Sequence, residues 1–247
     1  PNGDTTPIPE ITTREPRLED MICIIMRAHE IWTMKHLATL LYTWLSGLIF
    51  VLSLLYFAYF FLTLNEQPGI DDPFVAFVIN FLLFGIFATH HSCMARTGAK
   101  RWLARYLPSN LERATYVWVA SVLFAVTCLL WRDLPGTVYE ATGWLKALAL
   151  VVQVTGLAII ALAISILDPL ELAGLRRATE LRIQGPYRWV RHPIYLGWIL
   201  IVFGGPTMPT ARLAFAIIST TYLVLAIPWE ERSMSESFGS TYQRYLE

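Results

Sequence analysis

Arg191-His192-Pro193, flanked by Tyr187 and Tyr195, stands at the start of an apolar stretch that ends at the paired carboxylates Glu230-Glu231. A guanidinium and an imidazole at one end and two carboxylates at the other can together hold a cofactor carrying both signs of charge. They can do so only if the intervening chain folds back on itself. The apolar residues between them would then place an apolar substrate beside that cofactor. Singly, each group has a plainer reading. Arg is frequent at cytoplasmic membrane boundaries and Tyr in aromatic belts, and adjacent carboxylates at a helix end are commonly just solvated. Ionisable groups at the rim of a bilayer are nevertheless costly unless paired or wet, which marks the two clusters as candidates for function. Neighbouring helical residues point about 100° apart, so one of the two Glu can face the bundle while the other faces its neighbours.

A second group, His90-His91-Ser92, closes another apolar segment. Imidazole titrates near neutrality, which suits a general base or a substrate-orienting group; a hydrogen-bonded contact between helices is the alternative. His29 and His36 lie apart in the N-terminal arm, and Cys23, Cys93 and Cys128 lack metal-ligand spacing, so no metal site is expected.

These groups need a scaffold, and composition sets its class. At 55% hydrophobic and 15% charged residues, with mean hydropathy +0.48, the 247-residue chain is too apolar for a water-soluble domain. A bilayer core about 30 Å thick requires roughly 20 apolar residues per helical span. Four segments satisfy this: Leu37 to Leu64, Phe74 to Met94, Thr115 to Trp131 and Leu145 to Leu167. Ile194 to Phe203 is about half a span, and Gly204-Gly-Pro-Thr-Met-Pro-Thr210 breaks any helix before Ala211 to Ile227 resumes. The expectation is an all-α integral membrane protein with four full transmembrane helices, a cytoplasmic connector loop and a C-terminal helical hairpin. No run alternates as a membrane barrel does.

Loop charge orients the bundle. Arg96, Lys100, Arg101, Arg105 and Arg113 follow the second span, and Arg176, Arg177, Arg182, Arg188 and Arg191 follow the fourth, which puts both loops in the cytoplasm. The loop from Asn65 to Pro73 carries Glu66, Asp71 and Asp72 and no basic residue, and faces the other side. Closing the hairpin returns Glu230 and Glu231 to the side of Arg191 and His192. Residues 1–36 read as a polar arm and interfacial segment, and residues 37–247 as the transmembrane domain, with the cofactor site within 185–247. The chain has no Gly-rich phosphate loop or strand-helix nucleotide fold, and no nucleic-acid partner is expected. Oligomeric state is left open.

Taken together, Gly185-x-Tyr187-x-x-x-Arg191-His192-Pro193-x-Tyr195-x-Gly197, followed by Glu230-Glu231, resembles the C-terminal signature of the isoprenylcysteine carboxyl methyltransferase and phospholipid methyltransferase superfamily. Phe87-Ala-x-His-His-Ser-x-Met-Ala-Arg96, Glu112-Arg-x-Thr-Tyr116 and Leu167-Asp-Pro-Leu-Glu-Leu-Ala-Gly-Leu175 are similar to the methanethiol S-methyltransferase branch and its NnrU-like relatives. The chain departs from that branch in a short stretch between Leu175 and Gly185 and in His90, where Gln is expected.

The resemblance implies a membrane methyltransferase that uses S-adenosylmethionine without a Rossmann domain. Its cofactor would be lined by Tyr187, Arg191, His192, Pro193, Tyr195, Gly197, Glu230 and Glu231. Arg191 can fork onto a carboxylate, and a Glu suits an ammonium or a sulfonium. Methyl transfer is an in-line displacement whose nucleophile, if a thiol, reacts as thiolate, so His91 or Arg96 would assist as catalytic residues. The implied acceptor is a small or lipophilic thiol drawn from the membrane lipid, in a bacterial inner membrane with the cofactor site facing the cytoplasm. A prenylcysteine carboxylate, a lipid amine, or a non-catalytic accessory subunit are the alternatives.

Overall fold

The structure is a computed structural model and describes residues 18–95, 103, 105–168 and 180–247. Arg96, expected to assist catalysis, and the Pro169 to Leu175 part of the second resemblance lie outside the described residues. The chain divides into two compact units, Pro1–Leu41 and Tyr42–Glu247.

Helix α1 (Leu18–Leu62) is continuous, so residues 18–36, expected as a separate interfacial segment, belong to the same helix as the first span. Helices α2 (Pro73–Ala95), α3 (Ser109–Leu130) and α4 (Gly143–Ile166) follow the expected spans closely. The hairpin is formed by α5 (Pro193–Phe203) and α6 (Thr210–Phe238), and a last short helix, α7 (Ser240–Leu246), ends the chain. Five helices among the described residues are long and apolar enough to cross a membrane; α5 is shorter. The protein is a multi-pass integral membrane protein. Its outward faces are apolar, as lipid contact requires: on α4, Trp144 is 73% and Leu157 60% exposed.

Pro228 does not end α6, which runs on to Phe238. Proline removes one backbone donor and crowds the preceding turn, yet membrane helices tolerate it where neighbours compensate. Glu230 and Glu231 consequently lie on a helix face, not in a tail.

The core of the membrane unit is an aromatic cluster. Phe215 of α6 is fully buried, with its ring centroid 5.4 Å from Trp131, 5.8 Å from Phe60 and 5.9 Å from Trp198. Some polar groups inside the bundle are satisfied by neighbouring backbone. Buried Asn80 donates to the Arg132 carbonyl at 2.8 Å and accepts from the Arg132 amide at 2.7 Å, holding the end of α3 against α2. Helices α4 and α5 meet through glycines: a Cβ on Gly156 would come within 2.6 Å of the Gly197 carbonyl, and one on Gly197 within 2.6 Å of the Gly156 carbonyl. Small residues that let backbones approach are a common solution where lipid gives helices no hydrophobic reason to pair.

Two short strands, not expected from the sequence, form an antiparallel ribbon at the end of the bundle opposite Glu230. β1 (Thr137–Glu140) pairs with β2 (Thr207–Pro209), with Tyr139 opposite Met208 and Glu140 opposite Thr207. The reason lies in α5, whose 11 residues rise only roughly 16 Å. The chain beyond it is non-helical and must find hydrogen-bond partners within the protein. Tyr139 Oη donates to the Phe203 and Gly205 carbonyls, the Ala141 amide to Pro206, and Arg212 Nη1 to Thr207. The other arm of the Arg212 guanidinium donates to the Phe61 carbonyl near the end of α1 at 3.3 Å.

Candidate active site

Gln184 to Val190 sets the entry into α5. Gly185 has φ +55°, a conformation that favours glycine, and a Cβ there would strike Ile166 at 2.5 Å. A 3-10 turn (Gly185–Arg188) follows, and His192 then precedes α5 in a non-helical conformation, with fully buried Pro193 as the first helical residue. Proline is tolerated there because that amide has no intrahelical partner to lose. The turn aims Arg191, His192 and Tyr195 at the Glu230-Glu231 face of α6.

The two carboxylates take different partners, as their angular separation on a helix allows. Glu231 Oε1 lies 2.8 Å from Arg191 Nη1 and 3.4 Å from His192 Nε2. Glu230 accepts a short hydrogen bond from the Tyr195 hydroxyl, and its other oxygen lies 3.6 Å from His192 Nδ1. The imidazole thus stands between both carboxylates and stacks on the Tyr195 ring at 5.2 Å. Half of the Arg191 side chain remains exposed, so solvent screens its pair. Such a pair fixes orientation more than it adds stability.

These groups border a cavity of about 330 Å³, lined among others by Leu167, Arg182, Tyr187, Met234, Phe238 and Tyr242. The volume falls at the lower end of the roughly 300–1,000 Å³ typical of small-molecule sites. Tyr245 of α7 lines it too and donates to the Tyr187 carbonyl, which ties the chain's end to the turn. Burial raises the Tyr187 phenol above its ordinary range, with Tyr245 adding to the effect; burial and Glu231 likewise raise Tyr242, against the opposing pull of Arg191. Both rings therefore stay neutral near pH 7 and offer flat faces and hydroxyls.

The cavity fits a zwitterionic, aromatic cofactor. Arg191 supplies a cation, Glu230 an anion, and three tyrosines and Phe238 supply surfaces for a flat ring. Arg182 lines the same wall, with Nη1 3.7 Å from Glu180 Oε2 and with Nε buried without a hydrogen-bond partner among the described residues.

Of the residues expected at a cofactor, the structure brings together Tyr187, Arg191, His192, Pro193, Tyr195, Glu230 and Glu231. Gly197 is the exception: it stands against α4, where its lack of a side chain permits the contact with Gly156. The sequence reading overlooked Tyr242 and Tyr245, whose i, i+3 spacing after Gly239 was the available signal, and Arg182 as a lining group. Tyr222 escapes notice too, as the last of the hydroxyl run Ser219-Thr220-Thr221-Tyr222 inside an apolar helix.

His91 lies away from that cavity, in a second, partly open one of about 240 Å³ bordered by α1, α2, α3, α5 and α6. Its Nδ1 shares a hydrogen bond with the Tyr116 hydroxyl at 2.9 Å. Tyr116 and Tyr222 both lie within electrostatic reach of Glu230 and Tyr195. Tyr222 lines the second cavity, and Tyr195 and Glu230 line the first. A cluster of phenols thereby joins the two. His90 stacks on the other side of Tyr116, at 6.1 Å, and is absent from both linings.

Comparison with known proteins places these features in a family. Residues 170–236 match the isoprenylcysteine carboxyl methyltransferase (ICMT) family. The chain is 33% identical to a methanethiol S-methyltransferase of Pseudomonas sp. (strain GM41(2012)), over 85% of this chain and 87% of that protein. It is 33% identical to a methanethiol S-methyltransferase of Mycobacterium tuberculosis, over 86% and 94%, and 35% identical to methanethiol S-methyltransferase 2 of Bradyrhizobium diazoefficiens, over 85% and 87%. No solved structure matches the chain significantly.

Proposed function

The chain belongs to the isoprenylcysteine carboxyl methyltransferase family and is a membrane methyltransferase, and from that premise we propose that it transfers a methyl group from S-adenosylmethionine to a small or hydrophobic thiol. The observation that carries this reading is the cavity on which Arg191, His192, Tyr195 and Glu230 converge, with Glu231 behind Arg191. When bound, the cofactor supplies an electrophilic methyl on a sulfonium.

Arg191 holds the methionyl carboxylate, for which its planar fork is suited. Glu230 faces the positive groups, with Tyr195 fixing the carboxylate's orientation through its hydroxyl. His192 positions both carboxylates, and Tyr187, Tyr242 and Tyr245 enclose the adenine and keep water away. On the acceptor side, His91 takes the thiol proton, oriented by Tyr116. Charge cancels as thiolate meets sulfonium, which a low-polarity pocket favours. Relatives named for methanethiol support the thiol over a carboxylate or an amine. A purely structural subunit has no need of both the charged cluster and the cavity it lines, which weighs against an accessory role. The site opens to the cytoplasm of a bacterial inner membrane, in keeping with the basic residues flanking it.

Calorimetry of the detergent-purified protein with S-adenosylmethionine and with its demethylated product tests the reading. Saturable binding of both is expected, with dimethyl sulfide formed from methanethiol. Absence of binding by either compound overturns it.

A further inference from the structure

The second cavity is larger than a one-carbon thiol requires. Its walls come from five helices and are apolar: Phe50 and Leu54 of α1, Phe84 of α2, Phe124 of α3, Trp198 of α5 and Leu223 of α6. Two of its three serines, Ser53 and Ser219, are bonded to their own surroundings. Ser53 donates to the Phe50 carbonyl at 2.7 Å, and Ser219 accepts from Trp198 Nε1 at 3.0 Å and donates to the Ala216 carbonyl. Polarity is concentrated at one end. His91 is the last lining residue along α2, Tyr222 lies with Leu223 toward the Glu230 end of α6, and Tyr116 is hydrogen-bonded to His91. From Phe84 to His91 the cavity extends roughly 10 Å along α2.

An enclosed apolar cavity of about 150 Å³ is already large enough for benzene; this one measures about 240 Å³ and is partly open, with Leu54 of its wall exposed. We propose that it is an acceptor pocket for apolar thiols carrying an aromatic ring or a short alkyl chain, benzenethiol being the model, with the sulfur at the His91 end. This rests on the methyl-transfer reading above and extends it to substrates larger than methanethiol. In the step served, the thiol proton passes to His91 and the thiolate pair forms a new S–C bond to the methyl. The bond from that methyl to the donor sulfonium breaks, and its pair remains on the donor sulfur as a neutral thioether. Burying the ring lowers KM for larger thiols, because apolar surface leaves water.

Two measurements test this. The first compares kcat/KM for methanethiol and benzenethiol in the wild type and in Ala120→Phe, since Ala120 lines the cavity and is nearly buried. Changes of one methylene in an apolar pocket shift selectivity about tenfold or more. The wild type is expected to favour benzenethiol by at least that factor, and Ala120→Phe to lower kcat/KM for benzenethiol about tenfold more than for methanethiol, which erases the preference. The second measures thioanisole binding to the protein in lipid nanodiscs, above partition into empty discs, with no donor present. Saturable binding to the wild type that is lost in Ala120→Phe supports the pocket even if no thiol is methylated, in which case the methyl-transfer reading alone fails. Methanethiol turnover without benzenethiol turnover, or thioanisole binding unaffected by Ala120→Phe, overturns the proposal. Should Ala120→Phe not fold, Leu54→Ala reads the same wall in the opposite sense: it raises turnover of 2-naphthalenethiol relative to benzenethiol, and an unchanged ratio overturns the proposal.

Discussion

Arg191, two residues before α5, places its Nη1 2.8 Å from Oε1 of Glu231 on α6, while Glu230, one residue earlier, turns to Tyr195. The two carboxylates are thus committed to different tasks by the helix itself: Glu231 anchors the cation that would hold a carboxylate, and Glu230 faces the cavity.

Arg191→Ala and Glu231→Ala are therefore expected each to remove most S-adenosylmethionine binding with the fold retained. The half-exposed Arg191 is screened while the site is empty, and the loss on truncation is expected where ligand binding excludes water from the contact. Calorimetry reads the affinity and circular dichroism the fold. Unchanged affinity in both variants removes this cluster from the cofactor site.

Gly197→Leu separates packing from binding. The side chain would collide with the Gly156 carbonyl and Ile160, and such overpacking typically costs about 1–3 kcal/mol or more. A lowered melting temperature is expected, with cofactor affinity per folded molecule unaltered. A selective loss of affinity at wild-type stability would return Gly197 to the cofactor.

The topology is open to cysteine labelling in a background lacking Cys23, Cys93 and Cys128. Reagent outside intact cells should reach cysteines placed at Gly69 and Thr207 and should not reach those at Ala99 and Ser235. Labelling at Ser235 without labelling at Thr207 would contradict a closed hairpin with its site on the cytoplasmic side.

His91→Ala should lower methyl transfer to a small thiol much more at about pH 6.5 than at about pH 9, because alkali supplies thiolate without a base. Cofactor affinity should stay constant. Equal losses at both pH values, together with a drop in melting temperature, would make His91 a packing residue that steadies Tyr116.

The spans and the charged cluster were legible because bilayer thickness and ion pairing act on short stretches of sequence. Glu230, Glu231 and Arg191 stand out against apolar neighbours, and closing the hairpin is enough to bring them together. What stayed hidden depends on three-dimensional neighbours. Gly197 shares a motif with the site residues, and only the position of α4 shows that it serves packing. Tyr116 and Tyr222 resemble ordinary membrane aromatics until their shared proximity to Glu230 is known. The continuation of α6 through Pro228 was obscured by a residue that usually ends helices, and β1 could not be foreseen without knowing that β2 needed a partner.

The ribbon carries a consequence for how the molecule is made. The carbonyls beyond the short helix α5 are satisfied by Tyr139, Ala141 and Arg212, so the hairpin has no stable resting place in lipid until the segment around Tyr139 is already in position. Helices α1 to α4 can enter the bilayer on their own length, whereas α5 must wait for α6 and dock with it onto a finished surface. The catalytic centre is then the last part of the protein to come into being. A ribosome stalled before Thr210 would leave a membrane-inserted chain with four anchors and no site, and a protease-protection series of truncated nascent chains would show Pro193–Phe203 becoming shielded only once α6 has emerged.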